Sequence, residues 1–118
     1  MNDLIWVKIA GVMGFLGVSL GAFGAHSLKE RLLALGTLAT WETAVLYHLI
    51  HAVALLAFAA LKLASPWTGW CWVIGVAIFS GTLYVYSLTG VKWLGAITPL
   101  GGLFLLAGWL LLIFASPK

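Results

Sequence analysis

Seven side chains here are of kinds that seat ligands or pass protons inside a membrane: His26, Tyr47, His48, His51, Ser80, Tyr84 and Thr98. They belong to four polar motifs in otherwise apolar sequence: Gly21-Ala-Phe-Gly-Ala-His26, Tyr47-His-Leu-Ile-His51, Phe79-Ser-Gly-Thr-Leu-Tyr84 and Ile97-Thr-Pro-Leu-Gly-Gly102. A neutral imidazole and a hydroxyl each donate and accept a hydrogen bond, so such groups can hold a ligand or simply tie helices together. The His48-x-x-His51 pair alone is a weak zinc signal because it lacks a third ligand at matching depth. Haem or quinone binding through His26, His48 or His51 is a minor reading, since His26 lies about 10 Å or more above His51. With three acidic residues in all, no phosphate loop and no activated nucleophile, the chain is expected to have no catalytic residues, no metal and no cofactor.

These groups must be positioned by membrane helices. The chain has 118 residues, 64% hydrophobic and 8% charged, with mean hydropathy +1.14. That is too little charge for a soluble surface. About 20 apolar residues cross a bilayer, and four such spans fit near Ile5–His26, Trp41–Leu63, Trp70–Leu88 and Leu94–Ala115. The expected fold is all-α: one membrane domain over 1–118, an antiparallel bundle of four transmembrane helices. The first span is read as retained rather than as a signal peptide, its apolar run being too long. A short interfacial helix over 28–36 joins spans one and two, with Ser27 and Glu30 at capping-box spacing and Gly36 as its stop. The charge of +3 is scattered, which argues against nucleic acid. Cys71 is alone, so no internal disulfide is possible.

Antiparallel threading brings all four motifs into one half of the membrane. Tyr47, His48 and His51 lie about 9–15 Å below the start of span two, and Ser80, Tyr84 and Thr98 about 6–12 Å deep from the same side. On a helical wheel Tyr47, His48 and His51 share a face, as do Ser80 and Tyr84. The expectation is a shared polar layer in which His51 meets Tyr84 or Ser80, with Thr98 nearby. Gly14, Gly17, Gly21 and Gly24 form a stripe suited to close helix packing. Pro99 either kinks span four, freeing the carbonyl of Gly95, or opens the helix behind a Thr98 cap, beside Gly101 and Gly102. Glu42 is read as a first-turn carboxylate behind Thr40. Six of the seven tryptophans sort to span ends as interface anchors, and Trp109 sits deeper. Lys8, Lys62 and Lys118 on one side balance Lys29, Arg31 and Lys92 on the other, so the positive-inside rule gives no orientation.

The four motifs, with Trp41-Glu-Thr-Ala44 and Gly108-Trp109, resemble the YgdD/YwdK-type family of small four-span membrane proteins, related to transmembrane protein 256. The resemblance covers nearly the whole chain in order. It implies a bacterial inner-membrane protein, or a relative of one, with cytoplasmic termini, and it transfers no catalytic residue. Two functions follow as expectations. One is a site between helices that binds or transports a small molecule, lipid or proton. The other is a structural or adaptor protein whose motifs only specify packing. Membrane lipid is the implied partner, together with a second copy or another membrane protein.

Overall fold

The computed structural model describes residues 3–118. Its helices are α1 (Asp3–Ala25), α2 (Lys29–Leu35), α3 (Leu38–Leu61), α4 (Trp67–Thr89) and α5 (Leu94–Ile113). All but α2 are long and apolar enough to cross a membrane. At 20–24 residues each, they are about 30–36 Å long, the thickness of a hydrocarbon core. The chain ends and the α3–α4 loop share one face, here the terminal face. The segment with α2 and the α4–α5 loop share the other, the loop face.

Several element ends differ from the expectation. Spans two and three begin three residues early, at Leu38 and Trp67, the first of them because α2 stops sharply. Gly36 takes the left-handed conformation (φ 70°) and its N–H returns to the Leu33 carbonyl at 3.1 Å. Glu42 therefore stands exposed in the second turn of α3, beyond the first-turn position where a carboxylate meets the helix dipole. The Ser27–Glu30 capping box does not form. Leu28 is the N-cap of α2, its N–H already bonded to the Phe23 carbonyl at 2.8 Å. Ser65 and Pro66 do lead into α4, with the Trp67 N–H donated to the Ser65 hydroxyl at 3.3 Å.

Packing is closest between α4 and α5 and between α1 and α3, with α3 against α4 joining the two pairs. α1 and α5 occupy opposite edges of a body measuring 50 × 26 × 18 Å. The glycine stripe is half right. A methyl added at Gly17 would lie 2.6 Å from Leu49, and one at Gly24 would strike the Trp41 indole, whereas Gly14 meets nothing within 4 Å and Gly21 only grazes Val45. The buried seam of α1 runs Trp6, Ala10, Met13, Gly17, Gly24. That is a heptad line, and it passes beside Gly14 and Gly21.

Three tryptophans are core residues instead of interface anchors. Trp6, Trp41 and Trp72 are 1–2% exposed, whereas Trp67 and Trp93 stand at opposite ends with about two thirds of their surface free. Each buried indole sits over a glycine of another helix: Trp41 on Gly24, Trp72 on Gly108, Trp6 on Gly69. In lipid, where the hydrophobic effect is absent, such shape matching supplies the attraction. At the terminal face Asp3 pairs with Lys118 (2.8 Å) and Lys62 (3.3 Å). There the tail also bonds the α3–α4 loop, Ala64 N–H to the Ser116 carbonyl at 2.9 Å and Lys118 N–H to the Lys62 carbonyl at 3.1 Å.

Candidate functional site

The expected polar layer exists but is split between two faces of the molecule. His48 and His51 are both buried, three residues apart on α3, and they point into different furrows.

The first furrow runs between α1 and α4 over the body of α3. It encloses about 300 Å³ and is walled by Met13, Leu16, Leu20, Val73 and Ala77. In its floor the Tyr84 hydroxyl and His48 Nδ1 are 2.8 Å apart. Tyr84, not Ser80, is the histidine's partner. The buried Ser80 hydroxyl donates to the Ala44 carbonyl at 2.8 Å, which fixes α4 on α3. The Tyr84 ring lies 4.8 Å from that of Trp41, whose indole N–H donates to the Leu20 carbonyl at 2.9 Å. Every polar group in this floor is occupied.

The second furrow runs between α3 and α5 over Phe79 of α4. It encloses about 560 Å³ and is lined by Tyr47, His51, Pro99, Gly102, Leu103 and Leu106, ending at Trp109. His51 does not reach Tyr84 or Ser80. Its Nδ1 lies 2.7 Å from the Tyr47 carbonyl and its Nε2 receives the Trp109 indole N–H at 3.0 Å. A carbonyl only accepts and an indole N–H only donates, so the ring is held as the Nδ1–H tautomer with both nitrogens satisfied. This crosspiece closes the furrow at one end. A lone tryptophan deep in a span needs an acceptor for its N–H, and that was the available signal for Trp109.

Tyr47 lies on the lip of this furrow, 40% exposed, instead of inside the bundle. Its ring packs on Phe79 at 4.9 Å and its hydroxyl has no hydrogen-bond partner among the described residues. Pro99 lies within a continuous α5, so the helix does not open behind a Thr98 cap. Thr98 instead shares a 2.7 Å hydrogen bond with Thr82 and donates to the Leu94 carbonyl at 3.1 Å. Proline has no N–H, so the Gly95 carbonyl lacks its ordinary helical partner. Gly101 packs against the Phe79 backbone, whereas a methyl on Gly102 would make only an ordinary 3.7 Å contact with Phe79.

His26 stands outside both furrows. α1 ends at Ala25, leaving His26 exposed in the turn at the loop face. Thr37 was missed: its buried hydroxyl donates to the Ser87 carbonyl at 2.6 Å, tying the start of α3 to the end of α4. Among the described residues, no three His, Cys, Asp or Glu side chains converge as a metal would require.

Residues 20–102 match the family described as "Protein of unknown function (DUF423)". The chain belongs to the DUF423 family. The UPF0382 membrane protein YwdK of Bacillus subtilis is 38% identical over 97% of both chains. A UPF0382 membrane protein of Staphylococcus saprophyticus is 36% identical over 97% of this chain and 98% of its own. The likeness extends to fission yeast, Schizosaccharomyces pombe, where a UPF0382 membrane protein is 38% identical over 89% of this chain and 94% of its own. No solved structure matches the chain. Together with the four spans, these relatives make this DUF423 chain a multi-pass membrane protein.

Proposed function

We propose that this DUF423 protein binds a molecule of the bilayer, without covalent chemistry, in the furrow between α3 and α5. The observation that carries the reading is the Tyr47 hydroxyl, left without a partner on the lip of an apolar furrow of about 560 Å³. That volume lies in the range of small-molecule sites, which are mostly apolar with a few placed polar groups. A polar group idle in hydrocarbon is costly, and a ligand removes the cost. Apart from His26, exposed at the loop face, the other polar side chains of the motifs bond to one another, to Trp109 or to the backbone, so those beside the furrow fix its walls. That pairing supports the packing role for His48, Ser80, Tyr84 and Thr98, while leaving the furrow itself free. Among the described residues lining it, Tyr47 alone has an unpaired side-chain polar group, and no base accepts from its hydroxyl, which supports binding over catalysis.

The furrow reaches past the midplane. α3 and α5 run parallel from the loop face, and Pro99 to Trp109 runs from about 8 to about 23 Å below the start of α5, across the middle of a hydrocarbon core of about 30 Å. Its closed end lies in the half of the membrane nearer the terminal face. We place the protein in the cell membrane with both termini cytoplasmic, the arrangement the family resemblance implies. Reporter fusions at the two ends test this, and maturation in opposite compartments refutes it.

A photoreactive benzoylphenylalanine at Leu103, which lines the furrow, or at Leu110, away from it on α5 and similarly exposed (61% and 58%), tests the site. After extensive detergent washing, irradiation should capture a lipid-sized molecule at Leu103 and none at Leu110. Equal loss at both positions would mean that the furrow holds only bulk lipid.

A further inference from the structure

A second set of polar groups lies at the terminal face, away from the furrow, where α4 begins. A helix opens with N–H groups that have no partner within it, and a side chain commonly caps them. Here the N-cap is Pro66, which supplies no side-chain bond. The Trp67 N–H reaches the Ser65 hydroxyl oxygen at 3.3 Å, and the Trp70 N–H reaches the Pro66 carbonyl at 3.2 Å. Thr68 and Gly69 are buried, yet their N–H groups have no partner among the described residues. The Thr68 side chain is 4% exposed and its hydroxyl has none either. That side chain lines a hollow of about 140 Å³ between the α3–α4 loop and the end of α5, walled also by Ser65, Leu111, Phe114 and Ser116.

We infer that this hollow seats a phosphate group, either dissolved or in the head of a lipid. The unsatisfied groups at the helix start are donors: two N–H groups, the Thr68 O–H, and the O–H of Ser65, whose oxygen already accepts. They stand at the positive end of the α4 dipole, where an anion is favoured. The neighbouring carbonyls do not answer them, because those of Leu111 and Leu112 take the Phe114 and Ala115 N–H groups at 3.1 Å each. No carboxylate lines the hollow. Asp3, the one acidic side chain at this face, borders a different hollow and is held by Lys118 and Lys62. Three lysines, Lys8, Lys62 and Lys118, against that one aspartate leave the side chains of the face at +2. The volume is well beyond the 10–15 Å³ or so that a single water needs. Leu111 and Phe114 on the wall are 42% and 78% exposed, so a lipid lying along the end of α5 reaches the hollow as readily as a dissolved anion does.

Full-length protein, stripped of lipid in a neutral detergent, is titrated at constant ionic strength with inorganic phosphate, dioleoylphosphatidylglycerol or dioleoylglycerol. The shift of the thermal unfolding midpoint gives the dissociation constant. A phosphate-bearing probe should raise the midpoint saturably. A rise with inorganic phosphate assigns the site to the dissolved anion, and a rise with phosphatidylglycerol alone assigns it to a lipid head. Thr68→Val, which keeps the shape and removes the hydroxyl, should weaken that binding by about 10- to 100-fold, the worth of one hydrogen bond to a charged group. Ser65→Ala, at an exposed position, should weaken it in the same direction and keeps the test open should Thr68→Val fail to fold. Ser19→Ala, which removes a hydroxyl bonded to the Phe15 carbonyl on α1, should leave it unchanged. No saturable rise with either phosphate probe overturns the inference. So does a rise with dioleoylglycerol equal to that with phosphatidylglycerol, or a dissociation constant that neither Thr68→Val nor Ser65→Ala alters.

Discussion

Gly101 and Gly102 are adjacent, and the structure gives an alanine opposite fates at the two positions. At Gly101 the new methyl would run into the backbone nitrogen and Cα of Phe79, with Phe79 Cβ at 2.8 Å as well. Helix backbone cannot turn aside as a side chain does, so α5 must move off α4 along their closest contact. Overpacking of this kind costs about 1–3 kcal/mol. At Gly102 the methyl would make an ordinary contact with Phe79 at 3.7 Å. Alanine's helix advantage over glycine, about 1 kcal/mol in water, applies equally to both and cancels in the comparison. Gly101→Ala should therefore be less stable than Gly102→Ala by about 1–3 kcal/mol. Reversible unfolding by sodium dodecyl sulfate in mixed micelles, followed by tryptophan fluorescence, measures the difference. Stabilities within about 0.5 kcal/mol of each other, the ordinary scatter of such comparisons, would refute the close α4–α5 crossing at Gly101.

A double-mutant cycle between His48→Leu and Tyr84→Phe should show coupling of about 0.6–1.7 kcal/mol, while His51→Leu and Tyr84→Phe should be additive. The reverse pattern would mean that the two histidines are exchanged between the furrows. Trp109→Phe leaves His51 Nε2 without its donor and should cost about 1–2 kcal/mol by the same unfolding assay; an unchanged midpoint would remove the crosspiece. Gly17→Leu should lower thermal stability in detergent well below that of Gly14→Leu, because only Gly17 faces another helix. Equal shifts would restore the full stripe.

Depth along the helices was legible in the sequence, and facing was only partly so. Rise per residue put Tyr47, His48, Ser80, Tyr84 and Thr98 at similar levels correctly, because helix geometry is nearly invariant. Partnership was not fixed by depth. His48 and His51 fall within about 60° on a wheel, yet that angle separates two furrows once α1 and α5 stand on opposite edges of the body. The stripe on α1 had the same ambiguity, since the heptad seam and the glycine line differ by one residue. The buried tryptophans were misplaced for a different reason. An indole near a span end suits the interface on composition alone, and only the opposing glycine of another helix shows which ones turn inward. Trp109 and Thr37 act through partners more than forty residues away, and no local pattern encodes such pairings.

The three tryptophan–glycine pairs also divide the chain in time. Trp41 on Gly24 completes the hairpin of α1 and α3 from its own residues, and Trp72 on Gly108 does the same for α4 and α5. Only Trp6 on Gly69 spans the two. Each hairpin can therefore mature in the bilayer as it leaves the insertion machinery, and docking is a separate, later event that needs both. A chain severed in the loop after Leu63 would then retain two competent halves. Co-expressed, they should reassemble through the α3–α4 hydrogen bonds together with the seat that Gly69 offers Trp6, and closing that seat should weaken the reassembly while leaving both hairpins folded.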